Sequence, residues 1–129
     1  YLLRRVNSLR NGAAHSSAMI NGLGVGSNLP SGRTTEMVSA ALDKLGVPRR
    51  LRRARLRNPR ILQMTSLAFA YSHFVPQQKQ GMASRRLESL EDKAKAHAEW
   101  YRRNNALIAS YRFLAMVFGA WIAQNEQSA

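Results

Sequence analysis

The residues best suited to chemistry in this sequence are seven arginines that fall within twelve positions, with no acidic residue between them. They are Arg49, Arg50, Arg52, Arg53, Arg55, Arg57 and Arg60. A guanidinium group donates two parallel hydrogen bonds to a phosphate or a carboxylate, so a run of this density predicts a polyanion site. Mutual repulsion of seven like charges also disfavours a purely solvated run. Neither residue type nor spacing separates the phosphates of ribosomal RNA from those of an anionic lipid such as cardiolipin.

No combination of side chains indicates catalysis. His15, His73 and His97 are dispersed along the chain and do not form a metal-ligand pair. Four of the seven acids lie in one stretch that is also rich in Lys and Arg, which indicates ion pairing: Glu88, Glu91, Asp92 and Glu99. The glycine-rich run at 21–27 lacks the preceding strand and the acidic partner of a dinucleotide site. We therefore predict that the protein is not an enzyme and binds no metal or cofactor.

The overall charge also predicts a polyanionic partner. Twenty Lys and Arg against seven Asp and Glu give a formal net charge of +13, which favours RNA, an anionic membrane surface or acidic protein neighbours. The sequence has no Cys, which excludes disulfides and Cys-based metal sites. The first 35 residues contain several Arg and Ser but no acid. This composition is typical of a mitochondrial presequence, and an ordinary basic extension is the alternative interpretation.

The elements that must position these residues are predicted to be helices. We expect an extended basic arm over residues 1–32, because glycine and proline interrupt any regular pattern there. Residues 33–83 are predicted to form short helices around the arginine run. One of these helices ends at Gly46 and Pro48. Another begins with Asn58 as N-cap and Pro59 in its first turn, and runs to about Val75.

The remaining residues, 84–129, are predicted to form one long helix that is amphipathic in its first half and apolar in its second. Fifteen of the eighteen residues at 106–123 are apolar or aromatic, which is about the length needed to cross a bilayer core. We place a single transmembrane span at about 104–123, with the bulk of the chain on the matrix side by the positive-inside bias. Aromatic and basic residues near both ends are predicted interfacial anchors: Trp100, Tyr101, Arg102, Arg103 and Trp121.

Arg112 lies near the middle of the predicted span and opposes free insertion. An arginine at a bilayer centre costs about 2.5 to 3.5 kcal/mol, so we expect an acidic side chain, backbone carbonyls or a lipid phosphate from a partner beside it. Ala115, Gly119 and Ala123 recur at every fourth position and form a small-residue face for close helix packing. The alternative is a core helix buried against protein or RNA in a large soluble particle.

Together these features predict an all-α fold, in which short helices and an extended N-terminal arm lead to one long C-terminal helix with a single transmembrane span, without an independent globular core. The favoured function is that of an accessory structural subunit of a mitochondrial inner-membrane complex, such as a respiratory-chain complex or ATP synthase. Such a subunit contributes to assembly and contacts other subunits and anionic lipid. The alternative is a mitochondrial ribosomal protein that binds rRNA through its arginine-rich segment.

Overall fold

A computed structural model describes residues 2–14 and 32–127, and every regular element in these two ranges is helical. Six α-helices follow one another along the chain: α1 (Leu2–Ala14), α2 (Arg33–Lys44), α3 (Arg49–Arg55), α4 (Pro59–Phe74), α5 (Gly81–Ala96) and α6 (Asn105–Gln127). Two single turns of 3-10 helix, Gln77–Lys79 and Ala98–Trp100, precede and follow α5. The predicted all-α fold is confirmed for the described residues.

Helix α2 stops at the predicted glycine. Gly46 has a φ of +76°, a left-handed conformation that a residue without a Cβ adopts at little cost. In this conformation the amides of Gly46 and Val47 donate to the carbonyls of Asp43 (2.9 Å) and Leu42 (3.0 Å). These bonds satisfy carbonyl groups that the end of a helix leaves unpaired. Because Val47 is buried, the turn also anchors the start of α3 to the core.

Helix α4 begins at the predicted N-cap. The Oδ1 atom of Asn58 accepts hydrogen bonds from the backbone amides of Arg60 (2.9 Å) and Ile61 (3.1 Å). Pro59 occupies the first turn, where its missing N–H removes no intrahelical bond. The helix ends at Phe74, within one residue of the prediction.

Helices α2, α4 and α6 share one core. Ten buried apolar side chains form a single cluster: Val38, Leu42, Val47, Leu56, Ile61, Leu62, Phe113, Leu114, Val117 and Trp121. Full burial of a side chain of this kind contributes about 1.5–3 kcal/mol, so the cluster is the main apolar contact that joins these helices. No independent core is predicted from the sequence. The structure differs, because α6 lies against α4 and shares a buried cluster with it.

The arm predicted as extended over residues 1–32 is helical at Leu2–Ala14. The predicted helix breakers begin only at Gly12, so residues 2–11 are free to form a helix that packs against α4. Ser8 Oγ accepts a hydrogen bond from Gln63 Nε2 of α4 at 3.1 Å. The rest of the predicted arm, residues 15–31, lies outside the described residues.

The long helix predicted for residues 84–129 is wrong as a continuous element, because α5 and α6 are separate. The chain turns between Ala96 and Asn105. Asn104 Oδ1 accepts the amide of Leu107 at 3.0 Å, while the Asn104 carbonyl accepts the amide of Ile108 at 3.0 Å. An asparagine that bonds in this way starts a new helix, since it satisfies an amide that has no partner in the preceding turn.

Candidate functional site

Helix α3 divides the arginine run between an inner and an outer surface. Leu51, Arg52, Arg55 and Leu56 face inward, where they are buried or half-buried. Arg49, Arg50, Arg53 and Arg57 are exposed. The division follows from helical geometry, because positions three and four residues apart lie on the same side of a helix. The seven arginines therefore do not form one uniform phosphate-binding surface.

Arg52 belongs to the fold of the turn between α2 and α3. Its side chain is 8% exposed, and its Nη1 atom forms an ion pair with Oδ1 of Asp43. The same nitrogen donates to the carbonyl of Val47 at 2.6 Å. Because this guanidinium group is buried and its Nη1 atom makes both contacts, we assign Arg52 a structural role. Asp43 is not among the predicted site residues, although it is the acid nearest to the arginine run along the chain.

Two further arginines of the run, Arg55 and Arg60, are partly buried. Arg60 is half-buried and donates from Nη1 to Oε1 of Gln63 at 3.0 Å. Arg55 is half-buried, and its Nε atom is buried without a hydrogen-bond partner among the described residues. Their guanidinium groups are less accessible to a ligand than those of the outer surface.

Three exposed arginines surround one surface depression. Arg49, Arg50 and Arg53 line an open hollow with a volume of about 530 Å³. Within the described ranges, none of the three has an ion pair or a side-chain hydrogen bond. We call these three residues the arginine basin. Their positive charges are available to an anion from outside the chain, which makes the arginine basin the first candidate site.

The second candidate site is the outer face of α6. The inner face of this helix carries the buried residues Ser110, Phe113, Leu114, Val117 and Trp121, which recur every three or four positions. The opposite side is exposed, and we define the outer face as Arg112, Met116, Gly119 and Ala123. The exposed side of a helix is normally polar. An exposed side with few polar residues is expected to contact another molecule.

The predicted small-residue row lies on or beside this outer face. Gly119 and Ala123 are exposed and Ala115 is half-buried. A Cβ atom built on Gly119 would meet no described atom within 4 Å, so no described helix of this chain packs closely there. Arg112 is exposed, and no described residue pairs with its guanidinium group. The structure thus brings Arg112 and the small residues to one side of α6.

The predicted interfacial anchors occupy different environments. Trp121 is only 8% exposed and belongs to the core cluster, so it does not face outward as an anchor would. Tyr101 is half-buried, and its hydroxyl donates to the carbonyl of Ala94. Arg102 and Arg103 are exposed. Tyr101 and Trp121 therefore do not mark the two ends of one exposed helix, because Tyr101 precedes α6 and Trp121 faces the core.

Trp100, the remaining predicted anchor, is exposed in the turn between α5 and α6. Its ring stacks on that of His97, with a distance of 3.9 Å between ring centroids. This contact orders the turn locally and leaves the other side of the indole ring uncovered. The described residues contain no group of three or more His, Asp or Glu side chains that could hold a metal ion.

Helix α5 carries three of the four acids predicted to form ion pairs, Glu88, Glu91 and Asp92, and Glu99 follows it. Lys95 Nζ lies 2.8 Å from Oε1 of Glu91, one turn earlier. The hydrogen bond that Lys95 donates to Glu91, together with the negative charge of Glu91, raises the pKa of Lys95 above its ordinary value of 10.5. The predicted pairing is confirmed for these two residues.

Comparisons with protein-family models, curated proteins and solved structures found no match to this chain. The geometry defines a basic, all-α protein with two exposed candidate surfaces. These are the arginine basin and the outer face of α6, where Arg112 lies beside Met116 and small residues.

Proposed function

We propose that the protein is a non-catalytic structural subunit of a multi-subunit complex of the mitochondrial inner membrane. In this role the outer face of α6 contacts an apolar neighbour, and the arginine basin contacts phosphate. A respiratory-chain complex or an ATP synthase is the type of assembly proposed. The protein contributes to assembly by joining neighbouring subunits and anionic lipid.

The apolar outer face of α6 is the observation that carries this proposal. Among the described residues, one helix is long and apolar enough to cross a membrane, over Asn105–Gln124, and only 28% of its apolar window is buried within the chain. A helix exposed to water normally carries polar residues on its outer face. This outer face instead offers Met116, Gly119 and Ala123 beside the single charge of Arg112. Lipid or another protein would cover such a surface.

The packing of the other helices limits how α6 can meet a membrane. The inner face of α6 lies on α4, and α1 also lies on α4 with Arg4 and Arg10 exposed. Lipid around the whole bundle would surround these arginines too, at a cost of about 2.5–3.5 kcal/mol for each one near the bilayer centre. We therefore propose that only the outer face of α6 meets the apolar neighbour. Arg112 then pairs with a carboxylate or phosphate that this neighbour supplies.

Two features of the chain suit a subunit at the matrix face of the inner membrane. The chain is rich in arginine, with a formal net charge of +13, and contains no Cys, a composition suited to an anionic membrane surface. Arg102 and Arg103 are exposed immediately before α6. This exposed basic pair suits contact with anionic lipid at the matrix face of the membrane.

Single cysteines provide a direct test, because the natural chain has no Cys. Met116 on the outer face of α6 and Met37 on α2 are matched in residue type and in exposure, at 38% and 45%. We expect Met116→Cys and Met37→Cys to react equally with a water-soluble maleimide in the isolated chain. In native mitochondrial membranes Met116→Cys should be protected and Met37→Cys should react, as measured by the mass of the labelled protein. Equal labelling of both cysteines in the membranes would contradict the proposal.

The second candidate function is that of a mitochondrial ribosomal protein. It is favoured by the packing of α6 into the core, as expected of a helix in a soluble particle, and by the unpaired charges of the arginine basin. Native electrophoresis of mild detergent extracts and sedimentation separate the two functions. A ribosomal protein sediments with ribosomal subunits in a nuclease-sensitive manner, whereas the proposed membrane subunit migrates with a multi-subunit membrane complex.

A further inference from the structure

We propose that the arginine basin binds the headgroup of an anionic lipid that carries two phosphate groups. This inference rests on the proposed membrane function and specifies the ligand of that site. The chemical class is a lipid with two phosphodiester groups joined by a short linker, as in cardiolipin. The lipid would lie at the edge of the membrane beside the bundle, with its phosphates toward α3.

The charges of the arginine basin match such a ligand. Arg49, Arg50 and Arg53 bring three guanidinium groups to one depression, and no described acid pairs with any of them. Each guanidinium offers a planar fork of donors that fits the oxygens of a phosphate. Two singly charged phosphates would neutralise two of the three positive charges. A lipid with one phosphate would leave two of them without counter-charge.

The fold also holds the arginine basin in place before any ligand binds. Arg52 lies on the inward side of the same short helix and is tied to Asp43 and to the carbonyl of Val47. These contacts fix the rotation of α3, so the neighbouring arginines point outward. They also engage Asp43, the acid nearest in sequence, which would otherwise compete with the ligand for the exposed guanidinium groups. A site arranged in advance loses less conformational entropy on binding.

The size and shape of the arginine basin favour a headgroup over a nucleic-acid strand. The arginine basin is an open surface depression lined by three arginines, an extent that matches one headgroup. Single-stranded nucleic acid binds along a positively charged groove that follows its phosphate backbone. Among the other four arginines of the run, Arg52 is buried, Arg55 and Arg60 are half-buried, and Arg57 is exposed. The accessible charge is therefore confined to residues 49–57, which is shorter than such a groove.

Vesicle binding with matched triple variants tests this inference. The site variant carries Arg49→Gln, Arg50→Gln and Arg53→Gln. The control variant carries Lys79→Gln, Arg85→Gln and Arg86→Gln, which alter three exposed residues at and before the start of α5. Each variant lowers the formal net charge from +13 to +10 by removing three positive charges. Far-UV circular dichroism verifies that both full-length variants keep their helix content.

The vesicles contain either a diphosphate lipid or a monophosphate lipid at equal total negative charge, and neutral vesicles give the baseline. We expect the unmodified protein to prefer the diphosphate vesicles. A basic residue near an anionic surface contributes about 1 kcal/mol, so loss of three lowers affinity on the order of a hundredfold. The site variant should show this loss together with loss of the preference, and the control variant should keep the preference.

Two soluble competitors identify the source of the phosphate. The deacylated diphosphate headgroup should compete for the unmodified protein at high concentration, whereas inorganic phosphate should compete far less. Equal competition by inorganic phosphate would indicate a free-phosphate site and overturn the inference. Equal loss of affinity in the two triple variants would also overturn it, since the binding would then depend on net charge alone.

The outcomes separate this inference from the proposed function. If Met116→Cys is protected in membranes but the protein does not distinguish the two lipids, only the inference fails. If the chain binds single-stranded RNA and no vesicle, and Met116→Cys reacts freely in membranes, both fail. In that case the arginine basin is an RNA contact.

Discussion

The buried guanidinium group of Arg52 forms an ion pair with the carboxylate of Asp43, nine residues earlier at the end of α2. The same group also donates to the carbonyl of Val47 within the turn that follows α2. One side chain of the arginine run therefore closes the connection between α2 and α3. Because Arg52 faces inward, its neighbours at positions 49, 50 and 53 face outward and form the arginine basin.

This role predicts that substitutions of Arg52 and of Arg50, two positions apart, lower the free energy of unfolding by different amounts. We expect Arg52→Gln to lower the free energy of unfolding by about 2 kcal/mol, because it removes charge-assisted hydrogen bonds from a buried position. The exposed Arg50 is the matched control, and Arg50→Gln should change stability by less than about 0.5 kcal/mol. Urea unfolding followed by circular dichroism measures both values. Similar stabilities of the two variants would show that Arg52 does not hold the turn.

Replacing Gly46 or Gly119 by alanine should change the free energy of unfolding in opposite directions. Gly46→Ala should destabilise the fold by about 1 kcal/mol, because the left-handed conformation at φ +76° strains a residue with a Cβ. Gly119→Ala should stabilise the isolated chain by about 0.5–1 kcal/mol, because alanine favours a helix interior and meets no described atom there. Thermal unfolding of the two variants gives the comparison. A stabilising Gly46→Ala would refute the proposed end of α2.

A larger residue at Gly119 tests the proposed contact with a partner helix. Gly119→Leu should keep the helix content of the isolated chain, because space is open around this position. It should weaken incorporation into the complex, because a leucine prevents a second helix from approaching closely. Ala106→Leu is the control, since Ala106 is exposed on the same helix and outside the small-residue row. Native electrophoresis of mitochondrial membranes measures incorporation, and equal incorporation of both variants would exclude this contact.

The start of α6 depends on the cap that separates it from α5. Asn104→Ala should lower the free energy of unfolding by about 1 kcal/mol, because the amide of Leu107 loses its side-chain acceptor. Asn104→Asp should cost far less, because a carboxylate caps a helix as well as an amide does. Chemical denaturation of the two variants checks this ranking. If Asn104→Ala and Asn104→Asp have equal stabilities, the Asn104 side chain does not separate α6 from α5.

The Glu91–Lys95 pair predicts a pH effect that is confined to high pH. Because Glu91 raises the pKa of Lys95, the stabilisation is complete below the unfolded value near 10.5 and is lost as pH rises through the higher folded value. Glu91→Gln should lower the pKa of Lys95 toward 10.5, as measured by NMR titration of the lysine side chain. Glu88→Gln, on the same helix, should leave that pKa nearly unchanged. A pKa insensitive to Glu91→Gln would show that the pair does not persist in solution.

Local signals in the sequence were sufficient to predict several parts of the fold. Gly46 and Asn58 marked helix ends correctly, because a left-handed turn and an N-cap depend on residues within a few positions of each other. The apolar character of α6 was also clear from the sequence. The continuous helix through Tyr101 was wrong, because the capping contact of Asn104 competed with an otherwise favourable helical pattern.

The sequence by itself determined the helical class, the excess of positive charge and the presence of one helix apolar enough for a membrane. These properties follow from composition and short-range periodicity. Only the tertiary structure decided that Arg52 is buried while Arg49, Arg50 and Arg53 remain open, and that Trp121 faces the core while Gly119 faces outward. The reason is that residue type and spacing define the faces of a helix, whereas the helices packed against it decide which face is buried.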